Sequence, residues 1–183
     1  ALPSLRYIVH LSAPGFDGIG AGEPSVPGLS MGHNGEAGFS LTIFGADQED
    51  VYVYETDPAD PARYRYGDGF EPMESCTETF AVKGHPDQTR LCEFTRHGPV
   101  IWRNAEKTRA VTVCCVWFSP GSAPYMSSLK MMHARNLADF RAAASGWGTP
   151  SVNLLYADKA GNIAWTPAGF MPDRPNWKGL TPV

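Results

Sequence analysis

Two neighbouring clusters in this chain have the residue types and spacing to do chemistry. Gly32-His33-Asn34-Gly35 sets an imidazole and a carboxamide in a glycine-framed turn. Such an imidazole serves either as a general base or as a plain turn residue, since Asn tolerates a left-handed backbone and His bonds across a turn. Downstream, Asp47-Gln48-Glu49-Asp50 places two carboxylates three positions apart with a third between them. Oxygen ligands at such short spacing suit Ca²⁺, which takes carboxylates and backbone carbonyls together, and they suit a solvated acidic turn equally well. The stretch is not an EF-hand loop, which spreads its ligands over about 12 residues around a central glycine. Asp57, Asp60 and Asp68 lie too far along a proline-interrupted loop to count with it.

Nucleophiles are harder to place. Ser and Thr are plentiful, but no Gly-x-Ser-x-Gly elbow occurs. The four cysteines form no Cys-x-x-Cys pair and no zinc spacing. Cys76 and Cys92 flank the turn-rich Gly84-His85-Pro86-Asp87 at equal distances from Gly84. In a hairpin they would face each other, as a disulfide or as two reduced thiols. Cys114 and Cys115 are adjacent in an apolar strand, so they point to opposite faces and read as small core residues rather than as a thiol nucleophile.

The elements that must position these groups are mostly strands. Nineteen glycines and sixteen prolines favour strands joined by turns. Tyr7–Leu11 reads as a first strand, followed by a Pro/Gly-rich connection through Gly28 with no room for a helix. Phe39–Phe44 reads as a buried strand, and the β-branched, aromatic Val51–Glu55 as a strand lying beside it. Asp57–Asp68 reads as a surface loop. Cys76–Val82, Thr89–Thr95 and Val111–Phe118 are further strands, and His97–Ile101 is a turn feeding another. After Ser127 helices take over: Asn136 caps one whose apolar face is Leu137, Phe140 and Ala144, with Asp139 favoured in its first turn. Ser151–Asp158 and Ile163–Thr166 form a hairpin about Lys159-Ala160-Gly161-Asn162. Strands, then helices, then strands indicate an α+β fold rather than a parallel βαβ sheet.

Composition excludes several functions. A net charge of −4 and a pI near 5.7, with scattered Lys and Arg, argue against a nucleic-acid partner, which needs a clustered positive surface. No apolar run approaches the roughly 20 residues of a membrane span. Ala1-Leu2-Pro3-Ser4-Leu5-Arg6 lacks the basic start and apolar stretch of a signal peptide.

Taken in order, the motifs resemble the nucleophilic β-chain of penicillin acylases, a family of N-terminal-nucleophile hydrolases. Pro27-Gly28, Gly32-His33-Asn34-Gly35, Thr42, Asp47, Asp50 and Glu55 carry the likeness. His97-Gly98-Pro99-Val100-Ile101, Asn153 with Tyr156-Ala157-Asp158, Gly161-Asn162-Ile163, and Gly169 with Pro172-Asp173-Arg174 extend it across nearly all the chain. Gly38-Phe39-Ser40 departs conservatively from the family's aromatic-glycine run. The resemblance implies part of a four-layer αββα sandwich, incomplete at both ends, with residues 1–183 as one piece of the acylase domain. It implies an amide hydrolase, processed from a precursor, whose N-terminal Ser uses its own α-amine as base. Ala1 cannot be that nucleophile and maps a few tens of residues beyond the processed terminus, so the chain alone should be inactive.

By the same resemblance, the backbone N–H of Ile43 is an oxyanion donor, and Met31, Leu41 and Val152 line an apolar acyl pocket. Asp47, Asp50 and the carbonyl of Glu49 are calcium ligands. Implied substrates are penicillins, acyl-homoserine lactones or related amides. Implied partners are an α-chain and the rest of the β-chain, in a periplasmic or extracellular setting that would suit a Cys76–Cys92 disulfide. The alternative is a non-catalytic calcium-binding scaffold of the same fold.

Overall fold

The computed structural model describes residues 5–24, 27–121 and 126–174, so the readings that fall on Ala1 and on the tail after Arg174 lie outside it. Apolar residues recurring at every second position build strands through most of the chain. In order they are β1 (Tyr7–Ala13), β2 (Phe16–Gly22), β3 (Met31–His33), β4 (Ala37–Ile43), β5 (Glu49–Glu55), β6 (Arg63–Tyr66) and β7 (Gly69–Pro72). Then come β8 (Glu74–Phe80), β9 (Gln88–Thr95), β10 (Gly98–Arg103) and β11 (Arg109–Cys115), closed by a 3-10 turn at Val116–Phe118. Helices α1 (Met126–Met131) and α2 (Leu137–Ala144) precede β12 (Val152–Asp158) and β13 (Ile163–Ala168). The α+β class stands. The chain divides into two compact units, Ala1–Gln48 with Ser119–Asp173, and Glu49–Phe118 with Arg174–Val183.

The first unit is a six-stranded sheet, β1-β2-β3-β4-β12-β13, with α1 and α2 over one face. Asn136 caps α2 as its sequence suggests: its Oδ1 accepts the Asp139 N–H at 2.9 Å. Phe140, Ala143 and Ala144 then pack on Phe39, Val152, Leu154 and Tyr156, with the Phe140 and Tyr156 rings 4.9 Å apart. The glycine-rich connection does form a strand, β2, which was not expected. Glycine weakens an isolated strand, but here β3 approaches too closely for anything larger: a Cβ on Gly20 would lie 2.2 Å from the Met31 carbonyl.

The second unit holds a five-stranded sheet, β5-β11-β10-β9-β8, and the β6–β7 ribbon, around Tyr54, Tyr64, Met73 and Ala110. Two expectations are corrected. Val51–Glu55 does not lie beside the strand at Phe39–Phe44: β5 pairs with β11, setting Val51 opposite Val113 and Val53 opposite Val111. The edge of β4 that β5 would have used belongs to β12, whose Leu154 and Tyr156 continue the helix-covered core. Asp57–Asp68 is likewise not all loop, since Arg63–Tyr66 pairs with β7 and buries Tyr64. Cys76 and Cys92 are directly opposed across the β8–β9 hairpin, with both thiols free.

Candidate functional site

Strand β4 carries the centre of the site. Its register against β12 sets Leu41 opposite Leu154, Thr42 opposite Asn153 and Ile43 opposite Val152. Leu41 and Val152 therefore share the helix-covered face, where Val152 is 2% exposed, while Met31 stands apart from that cluster, half-buried on β3. The strand expected to be buried through Phe44 is buried only to Leu41, and Ile43 is 87% exposed.

The Ile43 N–H has a definite direction. Along an antiparallel strand, successive N–H groups point to alternate neighbours. The Phe44 N–H donates to the Ser151 carbonyl at 3.1 Å, on the β12 side. The Ile43 N–H therefore points the other way, where β3 pairs only with Gly38 and Phe39. Among the described residues, no strand covers that edge beyond Leu41.

Polar groups to which the sequence assigned no function fasten this strand end. Gln48, only 7% exposed, donates to the carbonyls of Phe170 (2.6 Å) and Gly148 (3.3 Å) and accepts the Ser151 N–H (3.1 Å). The Ser151 hydroxyl donates to the Phe44 carbonyl and accepts the Ala46 N–H at 3.2 Å. On the face away from the helices, Asn153 Nδ2 donates to the Ile43 carbonyl at 3.0 Å and to Thr42 Oγ1 at 3.3 Å. Its Oδ1 accepts the Trp165 indole N–H at 2.8 Å. Asn153 was marked in the sequence only as part of the family likeness, with no function attached, and nothing marked Gln48.

The Gly-His-Asn-Gly turn is structural at its Asn. Asn34 Nδ2 donates to the carbonyls of Met132 (3.1 Å) and Ala134 (2.7 Å), and Oδ1 accepts the N–H groups of Glu36 (3.1 Å) and Ala37 (2.9 Å). Gly35 takes the positive φ of 83° that lets the turn close. The carboxamide so ties the β3–β4 turn to the chain between the helices.

The acidic stretch is divided: Asp47 and Gln48 close the first segment of one unit, and Glu49 and Asp50 begin the other. Arg174 Nε lies 2.9 Å from both Asp50 oxygens, and Nη2 is 3.5 Å from the Glu49 carbonyl. These oxygens are of the kind a hard cation takes, but a guanidinium already neutralises the carboxylate. They fit calcium in donor type and not in charge.

In the second unit, Tyr54 Oη bonds His97 Nδ1, and the His97 ring stacks 4.1 Å from Tyr52. Burial, then the nearby Arg96 charge, holds the imidazole below its ordinary value. Burial pushes the Tyr54 phenol up to about 12. Arg96 itself is held by Glu71 at 2.6 Å and lies over the Tyr66 ring. No described helix is long and apolar enough to cross a membrane.

Comparison with known proteins identifies the family and the fold. The sequence profile of the penicillin amidase family matches residues 1–183. The chain is 32% identical to penicillin acylase 2 proenzyme of Pseudomonas sp. (strain SE83) over 183 residues, which is all of this chain and 24% of that protein. It is 23% identical to the acyl-homoserine lactone acylase QuiP of Pseudomonas aeruginosa, over all of this chain and 23% of the relative. The chain thus spans about a quarter of the length of these relatives. Among solved structures it is similar to a thermostable penicillin G acylase from Alcaligenes faecalis, with a TM-score of 0.87 and 28% identity over 99% of this chain and 33% of that one. A profile match from end to end and a fold this close have one consequence: the chain belongs to the penicillin amidase family.

Proposed function

We propose that these residues form an interior stretch of the β-chain of an amide hydrolase acting on N-acyl compounds, and supply an oxyanion donor rather than the nucleophile. An N-terminal Ser elsewhere in the longer protein would attack the acyl carbonyl, with its own α-amine taking the hydroxyl proton. As the carbonyl carbon becomes tetrahedral, negative charge collects on its oxygen. The Ile43 N–H, fixed in the backbone, would donate to that oxygen at no cost of reorganisation. The observation carrying this reading is the direction of that N–H: it leaves the β4 edge opposite β12, where no described strand takes it.

Leu41 and Val152, with Met31, favour an aliphatic or aromatic acyl group over a charged one. The names of the relatives, a penicillin acylase and an acyl-homoserine lactone acylase, agree with N-acyl compounds as the substrate class. Partners in this reading are an α-chain and the rest of the β-chain, in an exported protein.

The test is Ile43→Pro in the longer protein carrying this chain, assayed on phenylacetyl and fatty-acyl amides. Proline is tolerated where a strand N–H is outside the ladder, so the fold should survive. Loss of one oxyanion donor should lower kcat by about 10²- to 10³-fold. An unchanged kcat would overturn the assignment. The 183 residues alone should hydrolyse nothing, and hydrolysis blocked by a serine reagent would contradict the absence of a nucleophile.

Calcium enters the same proposal through residue types, as a structural ion held by the Asp47 and Asp50 carboxylates and the Glu49 carbonyl. Arg174 would compete with it for Asp50. A like charge a few ångströms away costs about 1–2 kcal/mol in a water-like dielectric, so Arg174→Gln should raise calcium affinity roughly tenfold by calorimetry. Unchanged affinity would remove Asp50 from the ligand set.

A further inference from the structure

We propose that Asn153, oriented by Trp165, is a positioning residue that holds the Thr42–Ile43 peptide in the plane its oxyanion donor requires. This inference rests on the assignment of the Ile43 N–H made above. Thr42 and Asn153 are direct partners in the β4–β12 register, and Leu155 and Trp165 are partners in the β12–β13 register. Asn153 and Leu155, two positions apart on β12, share a face, so Trp165 sits diagonal to Asn153 and within reach of its side chain. The register of three strands therefore places a hydroxyl, a carboxamide and an indole in a row on the helix-free face.

The contacts show what the row does. The indole N–H is a donor only, so its 2.8 Å bond to Asn153 identifies the accepting atom as Oδ1. That fixes the amide, and Nδ2 must face β4. Its two donors go to Thr42 Oγ1 at 3.3 Å and to the Ile43 carbonyl at 3.0 Å. These acceptors lie on either side of the Thr42–Ile43 peptide bond, whose N–H is the proposed donor. Held before and after, this peptide resists rotation, although it stands at an exposed strand end where, among the described residues, no strand on the β3 side pairs with it. Trp165 is itself 62% exposed, so its hydrogen bond rather than burial sets the indole in place. An oxyanion donor displaced by a fraction of an ångström loses much of its effect, because catalysis depends on the position the oxygen takes in the transition state.

The experiment is kinetic, in the longer protein with its nucleophile. Asn153→Asp keeps the shape and removes both donors, and Trp165→Phe keeps the ring and frees the amide to turn. Each should lower kcat by about 10- to 100-fold with KM within about twofold, since Leu41 and Val152 are on the other face. The Ile43 amide proton, followed by ¹⁵N NMR in the same variants, should exchange faster and change shift while the β12–β13 amides do not. A kcat unchanged in both variants overturns the proposal. So does a fall in kcat accompanied by general loss of amide protection, which would mark a merely structural residue. Ile43→Pro separates the two levels: if it is inactive while the Asn153 and Trp165 variants are normal, the clamp fails and the donor stands. If Ile43→Pro is fully active, the donor assignment fails first.

Discussion

Asn34→Ala should cost the first unit more than any other single polar change at its surface. The side chain makes four hydrogen bonds, two to carbonyls about a hundred positions away in sequence and two within its own turn. A net hydrogen bond is worth about 1 kcal/mol, and a carbonyl left without a partner costs somewhat more than that. The Glu36 bond is exposed and counts for little. The sum is about 3 kcal/mol, a large part of an ordinary domain's stability. With a urea m-value of about 2 kcal/mol/M, the unfolding midpoint should fall by about 1.5 M, followed by circular dichroism and by fluorescence of the buried Trp147. Asn34→Asp sharpens the test. At neutral pH its carboxylate keeps the two accepted bonds but meets the Met132 and Ala134 carbonyls without a proton to offer. Protonating that carboxyl returns a donor to those carbonyls, so the penalty should shrink as the pH falls into the carboxyl range. The alanine variant should show no such recovery. A midpoint shift below about 0.3 M for Asn34→Ala, or an aspartate variant as stable as the native chain at pH 7, would refute the account.

Other outcomes follow from the second unit. Tyr54, with its pKa pushed up to about 12, stays neutral in the fold where an unfolded tyrosine ionises near 10. Its contribution is therefore complete below pH 10 and is lost as pH rises towards 12; ultraviolet titration of the folded chain against Tyr54→Phe should show one late-ionising phenol removed. His97 has the opposite slope: its lowered pKa favours the neutral ring, so stability falls as pH drops below 6.5 through the folded value, and an NMR titration should find the imidazole titrating below the ordinary histidine value. For the opposed pair Cys76 and Cys92, glutathione disulfide should convert two thiols into one disulfide and release two glutathione thiols. Mass spectrometry should find two hydrogens lost, Cys76→Ser should prevent it, and the bridge should stabilise by roughly 3 kcal/mol.

Much of this protein was legible because it is local. The capping Asn136, the hairpin about Gly161 and the opposition of Cys76 to Cys92 each depend on residues close in sequence, and each stands as expected. The order of motifs was enough for the family. Other features depend on which strand meets which, and no local pattern contains that. Val51–Glu55 has the composition of a strand whatever its neighbour, and only the claim of β12 on β4 sends it to β11. Phe16–Gly22 is a strand because a close neighbour supplies the pairing that glycine-rich sequence does not favour. The site divides in the same way. Ile43 was named from its place after Thr42, but whether its N–H faces a ladder or an open edge is a matter of register, since hydrogen-bond direction reverses with each residue. Asn153, Trp165 and Gln48 owe their functions to partners far along the chain, brought within hydrogen-bond distance only when the sheet closes.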